Sequence, residues 1–244
     1  MPPSSNNMIP KEPEELLNIA KSLFEANEDL NLVLVGGLAA QKIYANREVR
    51  KTSDIDILAP REDAEKFVER MKENGYETFY NTGLDKYSVF RHKEGIHIDV
   101  YPGKIGKYSI ENIKKVLDIN GIRVVSPEDL VGIKLYAYLT SEMGKKKHLV
   151  DIYSILIGKP ELDLSYFLEM VVPYVSKITE VSEKEIIEAM CNGSEGVLKQ
   201  FSPKERRFIK EECERILNTF KQMKGYGSKP TYSGLMEEPA SVIT

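Results

Sequence analysis

Lys51-Thr52-Ser53-Asp54-Ile55-Asp56-Ile57-Leu58-Ala59 alternates polar and apolar residues up to Pro60. Period-two alternation reads as a strand, with Ile55 and Ile57 turned into a core and Asp54 and Asp56 sharing the other face, about 6–7 Å apart. Paired carboxylates repel unless a cation lies between them. An isolated Asp-x-Asp is ordinarily a solvated strand edge, because aspartate is mostly exposed, so the surroundings of the pair decide its meaning.

Downstream, Ile96-His-Ile-Asp-Val-Tyr101 alternates in the same way. Ile96, Ile98 and Val100 share one face, which leaves His97, Asp99 and Tyr101 on the other. If this strand neighbours the first, about 4.8 Å away, Asp99 faces the Asp54/Asp56 pair. Aspartate disfavours strands, so three of them in two apolar strands point to a placement made for something other than folding. Converging carboxylates suit hard cations such as Mg²⁺ or Mn²⁺, usually together with substrate phosphates. Two such ions about 3.5–4 Å apart can clamp the attacking and leaving oxygens of an in-line phosphoryl displacement. Asp54, Asp56 and Asp99 are therefore the candidate metal-binding and catalytic residues, with Asp99 on the acceptor side as the expected proton acceptor.

Upstream, the apolar run Leu32-Val-Leu-Val35 ends in Gly36-Gly37, and the good helix formers of Leu38 to Ala45 follow at once. Glycines between a strand and a helix let backbone approach a phosphate, and a helix start offers unpaired N–H groups. The alternative is a tight turn with no ligand; its place one strand before the aspartates favours the phosphate reading. Ser53 joins Gly36 and Gly37 as a candidate phosphate contact.

Beyond this centre, the spacing predicts helices over Glu14 to Asn27 and Arg61 to Asn74, and strands over Tyr76 to Tyr80 and Lys86 to Arg91. Ile110 to Leu117 is expected to be helical and Ile122 to Val125 a strand. Ser126-Pro-Glu-Asp129 is a helix start, with serine at the cap and proline in the first turn. After it, helices are expected over Leu130 to Thr140, His148 to Ile157, Leu164 to Val175, Glu183 to Met190 and Pro203 to Met223, with breaks at Gly144, Gly158-Lys-Pro160 and Asn192-Gly193. The expected division is a tail over 1–13, an α/β domain over 14–125, a helical domain over 126–225 and a second tail over 226–244. The fold class is α+β, a mixed sheet flanked by helices and followed by a helical C-terminal part.

A chain of 244 residues with 41% hydrophobic side chains can build a sizeable core. Its 34 basic and 38 acidic residues leave a net charge of −4, so no overall positive field draws in nucleic acid, although a local basic patch remains open. Cys191 and Cys213, far apart and without metal-ligand spacing, fit a reducing compartment. With no apolar run of membrane-spanning length and no signal-peptide pattern, the expectation is a cytoplasmic protein with no membrane partner.

Gly36-Gly37, Asp54-Ile-Asp56 and Asp99 in an Ile-x-Ile-Asp-Val strand, in this order, resemble the nucleotidyltransferase superfamily that includes DNA polymerase beta and the lincosamide- and kanamycin-modifying enzymes. Within it, the chain most resembles the AbiEii/AbiGii toxin group and its uncharacterised prokaryotic relatives, over about residues 30 to 157. Ser126-Pro-Glu-Asp-Leu-Val-Gly-Ile-Lys134 resembles the toxins' lysine motif, and Lys147-His-Leu-Val-Asp151 their basic-Asp-x-x-Asp motif, with His148 where the first Asp is usual. The resemblance implies Lys134 as a phosphate or nucleotide contact and Asp151 as a structural or supporting site carboxylate. It also implies a divalent ion, an NTP substrate and, for a toxin, an antitoxin partner.

Read from the residues alone, Lys134 is either a residue at a cleft edge or a surface lysine lying along its helix. Lys145-Lys-Lys147 is either a solvated loop or, through Lys147, a contact to triphosphate or RNA backbone. Arg50-Lys51 is likewise either a triphosphate contact or an exposed loop. His97 and His148 read as local hydrogen-bonding residues. The expected activity is transfer of NMP from an NTP to an acceptor, which could be a small molecule, a protein or a short RNA such as tRNA. The alternative is a nucleotide-binding or protein-interaction module that keeps the fold without turnover. A metal-dependent glycosyltransferase fits less well, since several βα units would precede its Asp-x-Asp.

Overall fold

Strands β1 (Val33–Val35) and β2 (Ile55–Ala59) occupy the middle of the molecule because nearly every side chain in them is apolar and buried. The computed structural model describes residues 11–225 apart from Met143, Pro160 and Ser194. Most of both expected tails and the break at Pro160 lie outside the described residues. Helix α1 (Pro13–Glu25) precedes β1; it opens on a Glu12/Glu15 capping box and buries Leu16, Ala20, Leu23 and Phe24 as a single stripe.

Between β1 and β2 runs α2, one α-turn at Gly36–Leu38 continuing as π-helix over Ala39–Tyr44. After β2 come α3 (Arg61–Glu73), β3 (Glu77–Asn81), β4 (Lys86–Arg91), β5 (Ile96–Pro102), the short pair β6 (Lys104–Ile105) and β7 (Tyr108–Ser109), then β8 (Val116–Ile119) and β9 (Ile122–Val125). Seven strands form one mixed sheet in the order β3-β4-β5-β2-β1-β9-β8. β2 pairs antiparallel with β1 and parallel with β5, and β1 pairs parallel with β9. The expected mixed α+β architecture is the one observed.

One expected element is different. Ile110 to Leu117 is not a helix: Ile110–Asn112 makes a single 3₁₀ turn and Val116 opens β8. The reason lies just beyond it. Asn120 and Gly121 both adopt positive φ, 57° and 82°, and close a two-residue hairpin that pairs Ile119 with Ile122.

The helical part begins at α4 (Pro127–Thr140), whose Ser126 cap accepts the Asp129 N–H. Then follow α5 (Lys145–Gly158), α6 (Leu164–Tyr166) running through a π-turn into α7 (Val172–Thr179), α8 (Glu183–Cys191), α9 (Glu195–Leu198) and α10 (Pro203–Met223). α4 and α5 pack on each other and on the π-helical end of α2, which joins this part to the sheet. Gly158 makes the join possible, since a Cβ there would stand 2.1 Å from the Tyr44 carbonyl oxygen. Cys191 and Cys213, distant in sequence, are neighbours across α8 and α10, with Cys191 Sγ 3.6 Å from the Cys213 carbonyl oxygen and both thiols free. Among the described residues no helix is long and apolar enough to cross a membrane.

Candidate active site

The parallel register of β2 and β5 sets Asp56 directly beside Asp99, and Asp54 stands just ahead of β2 on the same side. One oxygen from each of the three carboxylates lies within 4.8 Å of the others. The three are held differently. Among the described residues Asp54 has only a 3.5 Å contact from Thr52 Oγ1, and Asp56 a 3.4 Å contact from the Tyr101 hydroxyl. Burial, with Asp54 and then Asp99 beside it, pushes the Asp56 carboxyl up to about 7.

Asp99 is instead fully engaged. Lys86 Nζ bonds Oδ2, while Ser88 Oγ at 2.8 Å and His97 Nε2 at 3.1 Å meet Oδ1. Burial alone would raise its pKa, but His97 and Lys86 outweigh that and hold it at about 2. A carboxylate so stabilised is a weak base.

Gly36 and Gly37 make room for the site's own side chains. Gly36 has φ +76°, and a Cβ there would fall 1.8 Å from Asp56 Oδ2. A Cβ on Gly37 would come within 2.7 Å of both Arg50 Nη2 and Thr52 Oγ1. The glycine turn is thus the floor on which an acidic and a basic side chain rest.

Facing the carboxylates is a basic wall built on Asp151, which is 0% exposed. Arg50 donates to it through Nε (2.8 Å) and Nη2 (2.7 Å), Lys134 Nζ lies 2.7 Å from Oδ2, and Gln41 Nε2 donates to Oδ1 at 3.1 Å. Gln41 also accepts the Val49 N–H at 2.8 Å, so the π-helical segment ties the 47–50 loop to this carboxylate. Burial opposes ionisation of Asp151, yet Lys134 and Arg50 keep it below the usual carboxylate range. Two cations share one anion here, which leaves positive charge directed at the cleft. Lys147 and His148 extend the same wall. Burial, together with Lys134 and Lys147, pushes His148 down to about 4, and among the described residues its Nδ1 has no hydrogen-bond partner. The cleft between floor and wall has a volume of about 410 Å³.

Residues 13–174 match the model of a family described as an uncharacterised nucleotidyltransferase. The chain belongs to this family. Its structure is similar to that of the antibiotic-resistance factor ANT(2'')-Ia in solution, at 17% identity over 68% of this chain and 93% of that one, with a TM-score of 0.48. It is also similar to the lincosamide antibiotic adenylyltransferase LnuA with lincomycin bound, at 18% identity over 60% and 97%, TM-score 0.44. The Megavirus polyadenylate synthase follows at 15% identity over 84% and 49%, TM-score 0.44. No curated protein matches the chain.

In this nucleotidyltransferase the residues singled out in the sequence fall in two places. Asp54, Asp56, Asp99, Gly36, Gly37 and Ser53 line the cleft from the sheet side, and Lys134 and Lys147 from the helical side. Lys134 is 6% exposed and is not a surface lysine. Asp151 stands behind the wall rather than in the cleft. Arg50, open in the sequence reading between a contact and an exposed loop, is bonded to it. Three contributors went unread. Lys86 and Ser88 sit two apart on β4, a spacing that sends both to one face, and that alternation was the available signal. Gln41 lies in the π-helical segment and gave none.

Proposed function

We propose that the protein transfers a nucleoside monophosphate from a nucleoside triphosphate to an acceptor hydroxyl and releases pyrophosphate. The observation that carries this reading is the opposition of a three-carboxylate floor and a basic wall across one cleft. The carboxylates fit a divalent cation: their oxygens are hard donors within 4.8 Å of one another, and burial, with Asp54 and Asp99 beside it, raises Asp56 to about 7. Asp54 and Asp56 would hold Mg²⁺ or Mn²⁺, with Asp99 beside them. When bound, the ion supplies charge neutralisation at the α-phosphate.

The chain's own groups do the remainder. Arg50 and Lys134, oriented by Asp151, meet the β- and γ-phosphates, and Lys147 and Ser53 close over them. Gly36-Gly37 lets the α-phosphate approach the floor. The acceptor oxygen bonds to the α-phosphorus as the bond to the β-phosphate bridging oxygen breaks, and the hydroxyl proton passes to water in the open cleft. Catalysis of this kind rests on positioning and charge neutralisation. The acceptor is a small molecule, a protein hydroxyl or an RNA end such as tRNA.

The test is incubation of the purified protein with Mg²⁺ and each α-labelled NTP in the presence of cell extract. The expected result is pyrophosphate release and a labelled acceptor, both lost in Asp56→Ala. Nucleotide binding without pyrophosphate release, unchanged by that substitution, would show a binding module instead. A toxin role, supported by the likeness of the Lys134 and Asp151 motifs to the AbiEii group, predicts growth arrest on expression that Asp54→Ala or a partner antitoxin relieves.

A further inference from the structure

The three carboxylates have unequal room for a cation. Asp54 and Asp56 keep most of their acceptor capacity, since each receives only one long contact. Asp99 has little to spare, because Ser88 and His97 occupy Oδ1 and Lys86 bonds Oδ2. The decisive partner is Lys86. Its side chain is 16% exposed, its ammonium bonds Asp99 Oδ2, and it lies 5.8 Å from the centre of the Tyr101 ring, packed in the acidic floor rather than extended into solvent. Strand β4 fixes it there: Ser88 pairs directly with Asp99 in the β4–β5 register, and Lys86, two residues away on the same face, reaches the same carboxylate.

We propose that Lys86 takes the place of one of two metal ions, so that the site binds a single divalent cation, on Asp54 and Asp56. Three carboxylates and one ammonium leave two negative charges, which one divalent ion neutralises. A second ion at Asp99 would have to displace an ammonium that is hydrogen-bonded and largely buried, or sit beside it against direct like-charge repulsion. The tethered cation also accounts for the bonding of Asp99, whose remaining partners, Ser88 and His97, both take Oδ1 and leave Oδ2 to Lys86.

This inference rests on the proposed reading of the carboxylates as a metal site, and the experiment separates the two. Mn²⁺ binding is counted by electron paramagnetic resonance and calorimetry, with and without an α,β-methylene NTP. The wild-type protein is expected to bind one Mn²⁺ in both conditions, Lys86→Arg also one, and Lys86→Met two. In the absence of metal Lys86→Met should melt below the wild type, and Mn²⁺ should raise its melting temperature more than it raises that of the wild type. Two ions in the wild type would overturn the inference and leave the metal site standing. No bound ion in any variant would overturn both. One ion in wild type and Lys86→Met alike would show that something other than Lys86 limits the count. If Lys86→Met does not fold, the wild-type count and Lys86→Gln decide.

Discussion

The two sides of the cleft carry opposite charge and are bonded in opposite ways. On the sheet side, Asp54 and Asp56 stand together with weak partners and their repulsion is left in place. On the helical side, each polar atom of Asp151 is used, and Arg50 and Lys134 are held before any ligand arrives. On the proposed reading, the first needs something positive and the second is a prearranged receptor for something negative. Substitutions on the two sides should therefore move stability in opposite directions.

The largest effect is expected at Asp56. Asp56→Asn should lower nucleotidyl transfer by about 10³-fold while raising the metal-free melting temperature by roughly 5 °C, because it removes a charge whose folded pKa, about 7, lies above its unfolded value. That stabilising effect belongs to pH values above about 7 and fades as pH falls and the wild-type carboxyl protonates. Calorimetric melting at pH 8 and pH 5 checks it, and a lowered melting temperature at pH 8 would break the comparison.

Asp151→Asn should move stability the other way. It strips Arg50 and Lys134 of their buried partner and should cost about 3–5 kcal/mol in urea unfolding, with KM for the NTP raised more than kcat is lowered. Gly36→Ala sharpens the floor. With φ +76° and a Cβ 1.8 Å from Asp56 Oδ2, it should displace that carboxylate and reduce transfer by about 10²-fold. Gly83→Ala, whose Cβ would meet only Asn81 Oδ1 at 3.5 Å, should change nothing.

The smallest effect is at His148. Its folded pKa is about 4 against 6.5 in the unfolded chain, so the unfolded state takes up the proton first and stability declines as pH falls from about 6.5 to about 4. His148→Gln should remove up to roughly 2 kcal/mol of that decline, allowing for solvent at this partly exposed ring. Unfolding midpoints at pH 7 and pH 4.5 measure it, and equal slopes for variant and wild type would dismiss it.

The same contrast separates what could be read in the sequence from what could not. The acidic floor was legible because each half is written within six consecutive residues, where period-two alternation fixes which face a side chain takes. Only the adjacency of β2 and β5 had to be supplied by the fold. The basic wall joins Arg50 to Asp151 across 101 positions and Gln41 to Asp151 across 110, and no local period carries such a pairing. Gln41 reaches it from π-helix, a winding that Leu38 to Ala45, all good helix formers, does not announce. Strand β8 is a different case. Its signal, Asn120-Gly121 between two apolar runs, is among the strongest for a hairpin, and it lies just after the stretch expected to be helical.

Gly158 has a bearing on turnover. Its bare Cα lets the end of α5 sit against the backbone of Tyr44 and Ala45, while the Tyr44 hydroxyl bonds the Val125 carbonyl at the end of β9. The helical part and the sheet are clasped at this point, and α5 cannot lift away like a jaw without breaking the clasp. Under the proposed transfer, a cleft held at this width would release pyrophosphate by the mouth that admits the triphosphate. Product and substrate would then contend for the same entrance, and pyrophosphate is expected to inhibit as a competitor of the nucleotide, which initial rates at varied NTP check.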